Sequence, residues 1–133
     1  MKEMDSSTCK FLALSTHFFS KLKNDGVHAV VKMLEKRNVN VLEKEMIAIP
    51  INDNNHWSLC VIVKPYNLRA ELPRKIPFLL FFDSLPLSHY HDKNEIQSYL
   101  YKWLNNEKYE SAYRLNKRTM PMFQPSGACI VFT

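Results

Sequence analysis

At 133 residues the chain can bury one modest core, and 46% hydrophobic with 23% charged residues is the balance of a folded domain rather than a disordered one. A formal net charge of +5 would suit an acidic partner surface, but lysine and arginine are spread along the chain with no basic stripe interleaved with aromatics, which weighs against nucleic-acid binding. No apolar run approaches membrane-spanning length. Cys9, Cys60 and Cys129 are odd in number and widely spaced, so neither a metal site nor a disulfide framework is expected and reduced thiols in the nucleus or cytoplasm fit best.

The whole of residues 1–133 reads as one domain. In residues 6–25 the positions Phe11, Leu12, Leu14, Phe18, Phe19 and Leu22 predict a helix with indistinct ends. After Asp25-Gly26, Val27, Val30, Val31 and Leu34 recur three or four apart, with Lys32, Glu35 and Lys36 on the opposite side, so a second, amphipathic helix follows. Residues 37–44 form a polar connection anchored by Val39, Val41 and Leu42. The next stretch is the centre of the chain. Residues 46–51 alternate apolar with small or polar side chains, residues 57–63 are rich in aromatic and β-branched types, and Asn52-Asp53-Asn54-Asn55 supplies turn-forming side chains between them. These features predict a hairpin with His56 at its elbow.

Three prolines and several charges in residues 64–77 rule out a central strand and predict a long exposed loop, either a tolerated insertion or a functional segment. Phe78-Leu79-Leu80-Phe81-Phe82 then reads as a buried strand that delivers Asp83 to its own end. In residues 93–105, Ile96, Tyr99, Leu100, Trp103 and Leu104 define the clearest helix. A short edge strand is expected near Thr119-Met120-Pro121-Met122, and a polar turn, Gln124-Pro125-Ser126-Gly127-Ala128-Cys129, leads into the last residues.

A cysteine nucleophile needs a base for its proton, a group that holds the base's ring, and donors where the oxyanion develops. Cys129, His56, Asp83 and Gln124 offer one residue for each role, each at the edge of a predicted strand or turn. Each also has a structural reading. His56 could be a hydrogen-bonded rim residue, Asp83 a turn cap, and Cys129 a small buried hydrophobe.

The motifs Ile49-Pro50-Ile51-Asn52, His56-Trp57-Ser58-Leu59 and Phe81-Phe82-Asp83-Ser84-Leu85, with His17-Phe18-Phe19, Asp25-Gly26 and Val41-Leu42-Glu43-Lys44 upstream, resemble the Ulp or sentrin-specific cysteine proteases. The resemblance covers most of residues 15–105. It implies an α+β, papain-like core with a central mixed sheet flanked by helices, and a thiol peptidase acting after the Gly-Gly terminus of SUMO-like modifiers, with no cofactor. By the same resemblance, His56 would be the base, Asp83 its orienting carboxylate, Cys129 the nucleophile, Gln124 the oxyanion donor and Trp57 a wall of the tunnel that admits the Gly-Gly tail. A nuclear location is implied by the resemblance alone. The cysteine block departs from the family pattern. Gln124 precedes Cys129 by five positions where six is usual, and Ala128 and Ile130 replace an acid and a glycine. The family's cysteine begins a long central helix, and the four residues after Cys129 cannot supply one, so a shortened domain lacking the C-terminal helical segment is expected. A non-catalytic relative that only binds a ubiquitin-like modifier is the alternative.

Overall fold

The computed structural model describes residues 10–53, 56–69, 76–83, 93–110 and 120–124. Strands β1 (Phe11–Ala13), β2 (Met46–Asp53), β3 (His56–Val63), β4 (Phe78–Asp83) and β5 (Met122–Phe123) form a mixed sheet in that spatial order. The three central strands run antiparallel, while β1 and β5 lie parallel to β2 and β4 at the two edges. The predicted hairpin is β2–β3, but its ladder is longer than the sequence pattern suggests, since pairing continues to Asp53↔His56 and His56 is the first residue of a strand.

Period-two alternation sorts the side chains. Ile47, Ile49 and Ile51 of β2, Ser58, Cys60 and Ile62 of β3, and Leu79, Phe81 and Asp83 of β4 are buried, whereas their neighbours are mostly half-exposed. The register aligns them in rows, Ile47–Ile62–Leu79, then Ile49–Cys60–Phe81, then Ile51–Ser58–Asp83. Along this face, therefore, apolar rows give way to a polar row at one end of the sheet. Cys60 belongs to the apolar part. Burial between Ile49 and Phe81 desolvates its thiolate and pushes the thiol pKa up to about 12.

Helices complete the core. α1 (Phe18–Asp25) buries Phe18, Phe19 and Leu22, α2 (Val27–Lys36) buries Val30, Val31 and Leu34, and α3 (Lys93–Leu104) buries Ile96, Leu100, Trp103 and Leu104, all in one cluster with the apolar sheet rows. The Phe18 ring lies 4.8 Å from that of Trp103, and Phe19 meets Tyr99 edge-on at 5.9 Å. Each large side chain fully buried here contributes about 1.5–3 kcal/mol by transfer from water. Gly26 divides α1 from α2 at φ 94°, a conformation that costs an L side chain steric strain, and its amide closes α1 on the Leu22 carbonyl at 3.1 Å. α3 is followed by a short α4 (Glu107–Glu110), where the Trp103 indole donates to the Tyr109 hydroxyl at 3.3 Å.

The single helix predicted over residues 6–25 is corrected. Phe11–Ala13 is an edge strand paired with Met46–Ala48, and the helix begins only at Phe18. The amides of Glu45 and Leu14 bond to the Lys10 and Ala48 carbonyls at 2.8 and 2.9 Å, so backbone pairing with β2 outweighs the weak helical spacing of Phe11, Leu12 and Leu14. Residues 6–9 of that predicted helix lie outside the described residues. In the predicted loop, Pro65–Arg69 makes a short 3-10 turn. The edge strand expected around residues 119–122 is β5, which shares Met122 with that stretch and ends one residue later at Phe123. Among the described residues, no helix is long and apolar enough to cross a membrane.

Candidate active site

The polar row at the end of the sheet holds the candidate chemistry. Asp83 closes β4 opposite Ser58, and His56 stands two residues before Ser58 on the same strand. His56 and Asp83 are thus diagonal neighbours across β3–β4, a relation that sets backbones about 7–8 Å apart and lets long side chains meet. They do meet: His56 Nε2 and Asp83 Oδ1 are 2.9 Å apart. Their side chains are 8% and 3% exposed, so the contact is screened far less than a surface pair. An ionised carboxylate can only accept, so Nε2 carries the hydrogen and Nδ1 the lone pair of the neutral ring. A ring held this way has a defined tautomer and can take a proton at Nδ1.

Trp57 alternates to the other side of β3 from His56 and is half-buried. Gln124 follows β5 directly and is exposed. Its approach is fixed from two sides. The Leu79 amide donates to the Pro121 carbonyl at 2.8 Å, and Gln97 Nε2 donates to the Met120 carbonyl at 2.8 Å. Gln124 Oε1 accepts from Lys93 Nζ, the ammonium of the first residue of α3, at 2.6 Å. With its oxygen held, the amide N–H groups of Gln124 are the end available to donate elsewhere.

The structure thus brings His56 and Asp83 together, and it ties Gln124 to α3. Cys129, with the block around it, and Asn54, Asn55, Ser84 and Leu85 lie outside the described residues. Two participants were not anticipated. Ser58 is wholly buried beside the pair, and only its period-two spacing from His56 could have signalled it. Lys93 is 31 residues from Gln124 in sequence, and no local pattern links them. Cys60, the described cysteine, is a core residue whose raised pKa keeps it a thiol at neutral pH. Among the described residues, no group of three or more histidines, cysteines or carboxylates is arranged to hold a metal ion.

Comparison with known proteins bears on this geometry. Residues 2–128 match the Ulp1 protease family, C-terminal catalytic domain. The chain is 31% identical over 127 residues to the probable ubiquitin-like-specific protease 2B of Arabidopsis thaliana, covering 84% of this chain and 14% of that protein. It is 46% identical over 48 residues to sentrin-specific protease 2 of Homo sapiens, 36% of this chain and 8% of that one. Among solved structures it resembles a de-sumoylating protease at 27% identity and a TM-score of 0.60, covering 88% of this chain and 43% of that one. The Ulp1 protease domain solved in complex with Smt3, the yeast ortholog of SUMO, has the same fold at 19% identity and a TM-score of 0.62, over 90% of this chain and 49% of that one. The chain therefore spans about half the length of the solved domain and a small part of the curated relatives it matches.

Proposed function

The chain belongs to the Ulp1 protease family, a family of cysteine peptidases specific for SUMO and related ubiquitin-like proteins, and from that premise we propose that it cleaves after the Gly-Gly terminus of a SUMO-like modifier. The observation that carries the proposal is the buried 2.9 Å contact between His56 and Asp83 at the end of the sheet. In this reading Asp83 holds His56 with Nδ1 facing the nucleophile. Cys129 gives its proton to Nδ1 as sulfur attacks the carbonyl carbon of the terminal glycine. Gln124, its amide oxygen held by Lys93, donates N–H to the oxyanion. Collapse of the tetrahedral intermediate returns the proton from His56 to the departing amine and leaves a thioester on Cys129. Water, deprotonated by His56, then hydrolyses the thioester to a free modifier carboxylate and a regenerated thiol. Trp57 lines the passage for the Gly-Gly tail. The setting is reducing and intracellular, where Cys129 stays a thiol.

Incubation with a SUMO-like protein bearing an electrophilic C-terminus, followed by intact mass, tests this reading. One adduct on Cys129, absent in Cys129→Ala and slowed in His56→Ala, is expected. The sequence Ala128-Cys129-Ile130 and the five-residue spacing from Gln124 favour a second reading, a modifier-binding relative without turnover. Modifier binding without an adduct in the folded protein would establish that second reading and overturn the first.

A further inference from the structure

The +5 net charge plays no part in the chemistry above, and among the described residues several of its cations gather in one place. Lys21 of α1 and Lys32, Lys36 and Arg37 along and just beyond α2 converge on one concavity of about 420 Å³, floored by Ala29 and Met33. Positions 29, 32, 33 and 36 follow the i, i+3, i+4, i+7 spacing along α2; Lys32 and Lys36 are exposed, whereas Ala29 and Met33 are half-buried and Met33 packs on its inner side against the core cluster.

Among the described residues, the carboxylates of α1, α2 and α3 have cationic partners of their own. Asp25 pairs with Lys21 at 3.5 Å, Glu95 with Lys23 at 2.8 Å, and Glu35 turns to Lys108 at 3.3 Å. Among the described residues, no carboxylate lies within ion-pair distance of Lys32, Lys36 or Arg37. Among the described residues, three cations thus border a partly apolar floor without a carboxylate partner.

We propose that this α1–α2 groove is a docking site for an acidic peptide segment that seats one aliphatic side chain on Ala29 and Met33 between flanking carboxylates. Charge complementarity selects the anion, and the floor selects the peptide. A methionine adapts to varied aliphatic shapes, whereas single-stranded nucleic acid would call for aromatic faces on which bases stack, and none lines the groove. Binding here is independent of the peptidase reading, because no residue of the groove belongs to the candidate active site.

The test is fluorescence anisotropy of the full chain with a labelled Glu-Glu-Leu-Asp-Asp-Glu peptide at low salt, about 50 mM. Saturable binding that weakens with salt is expected. Lys32→Glu with Lys36→Glu should weaken it by about tenfold or more, whereas Lys10→Glu with Lys102→Glu, the same change in net charge at exposed positions outside the groove, should change it less than about threefold. Should the reversed pair melt early by circular dichroism, Lys32→Gln with Lys36→Gln should still weaken binding by about threefold. A peptide with Ser in place of Leu should bind more weakly. No saturable binding, equal losses in the two double variants, equal binding of the Ser peptide, or tighter binding of a charge-matched single-stranded oligonucleotide would each overturn the proposal.

Discussion

Asp83→Asn is the sharpest perturbation of the candidate site, because it removes one charge and almost no volume. Asp83 as a carboxylate can only accept, so His56 Nε2 is the donor in their contact and, in a neutral ring, Nδ1 keeps the lone pair that the proposed base needs. An asparagine can turn its NH₂ toward Nε2, and the ring then carries its hydrogen on Nδ1, where it cannot accept a thiol proton. What is lost is a charge-assisted hydrogen bond between side chains 8% and 3% exposed, a setting in which such a bond is worth about 1.5–3 kcal/mol. At about 1.36 kcal/mol per decade, the rate of a His56-assisted thiolate reaction should fall by about 10- to 150-fold. The assay is timed alkylation by iodoacetamide near neutral pH, with Cys9 and Cys129 peptides resolved by mass spectrometry and folding checked by circular dichroism. Labelling of Cys129 should slow while that of Cys9 stays constant. An unchanged Cys129 rate in a folded variant, or an equal fall at Cys9, would refute the inference that Asp83 sets the tautomer of a base serving Cys129.

Other consequences are equally concrete. Lys93→Met releases the oxygen of Gln124, and adduct formation with an electrophilic SUMO-like probe should slow by about threefold to tenfold, with Lys93→Arg restoring most of the rate. Cys60 should resist alkylation in the native state until global unfolding, so its labelling rate should follow a urea unfolding curve. Because the folded-state pKa of Cys60 is raised to about 12 from 9.0, the folded state binds the thiol proton more tightly. The resulting stability is fully present below the unfolded value and is lost as pH rises from about 9 toward 12, so urea midpoints of the wild type should drop over that range more steeply than those of Cys60→Ala. Tyr109→Phe leaves the buried Trp103 indole N–H without its hydroxyl acceptor and should cost about 1–3 kcal/mol by urea denaturation, whereas an unchanged midpoint would discount the 3.3 Å bond.

Much of this fold is legible in the sequence because its elements differ in period. The alternation before Asn52 and the β-branched run after Trp57 identify β2 and β3, the five apolar residues from Phe78 identify β4, and the spacing of three and four from Ile96 identifies α3. Phe11, Leu12 and Leu14 mislead because three apolar residues fit either period, and the strand is decided by carbonyls of a partner more than thirty residues away. The candidate site divides along the same line. That a histidine opens one strand and an aspartate ends another is visible in the sequence. That they touch follows from the β3–β4 register, which sets Asp83 opposite Ser58 rather than one residue along, where the carboxylate would face the other side of the sheet.

Register also explains why the remaining features could not be read locally. Lys93 reaches Gln124 because α3 and β5 are tied together through Gln97 and the Met120 carbonyl, a link with no counterpart in residue spacing. The basic groove shows the same effect in charge. Lys21, Lys32, Lys36 and Arg37 look dispersed along the sequence, but the turn at Gly26 folds α1 against α2 and gathers them around one floor. Replacing Gly26 by Ala places a side chain at φ 94°, ψ 172°, an extended positive-φ conformation used almost only by glycine, with open space around its Cβ, so the cost is one of backbone strain alone, about 1–3 kcal/mol. If α1 and α2 relax that strain by shifting apart, affinity of the groove for an acidic peptide should fall while the His56–Asp83 end of the sheet, outside this hairpin, keeps its reactivity. Equal losses at both places would mean that α1–α2 packing and the candidate-site register are coupled, and the groove would not be independent of that site.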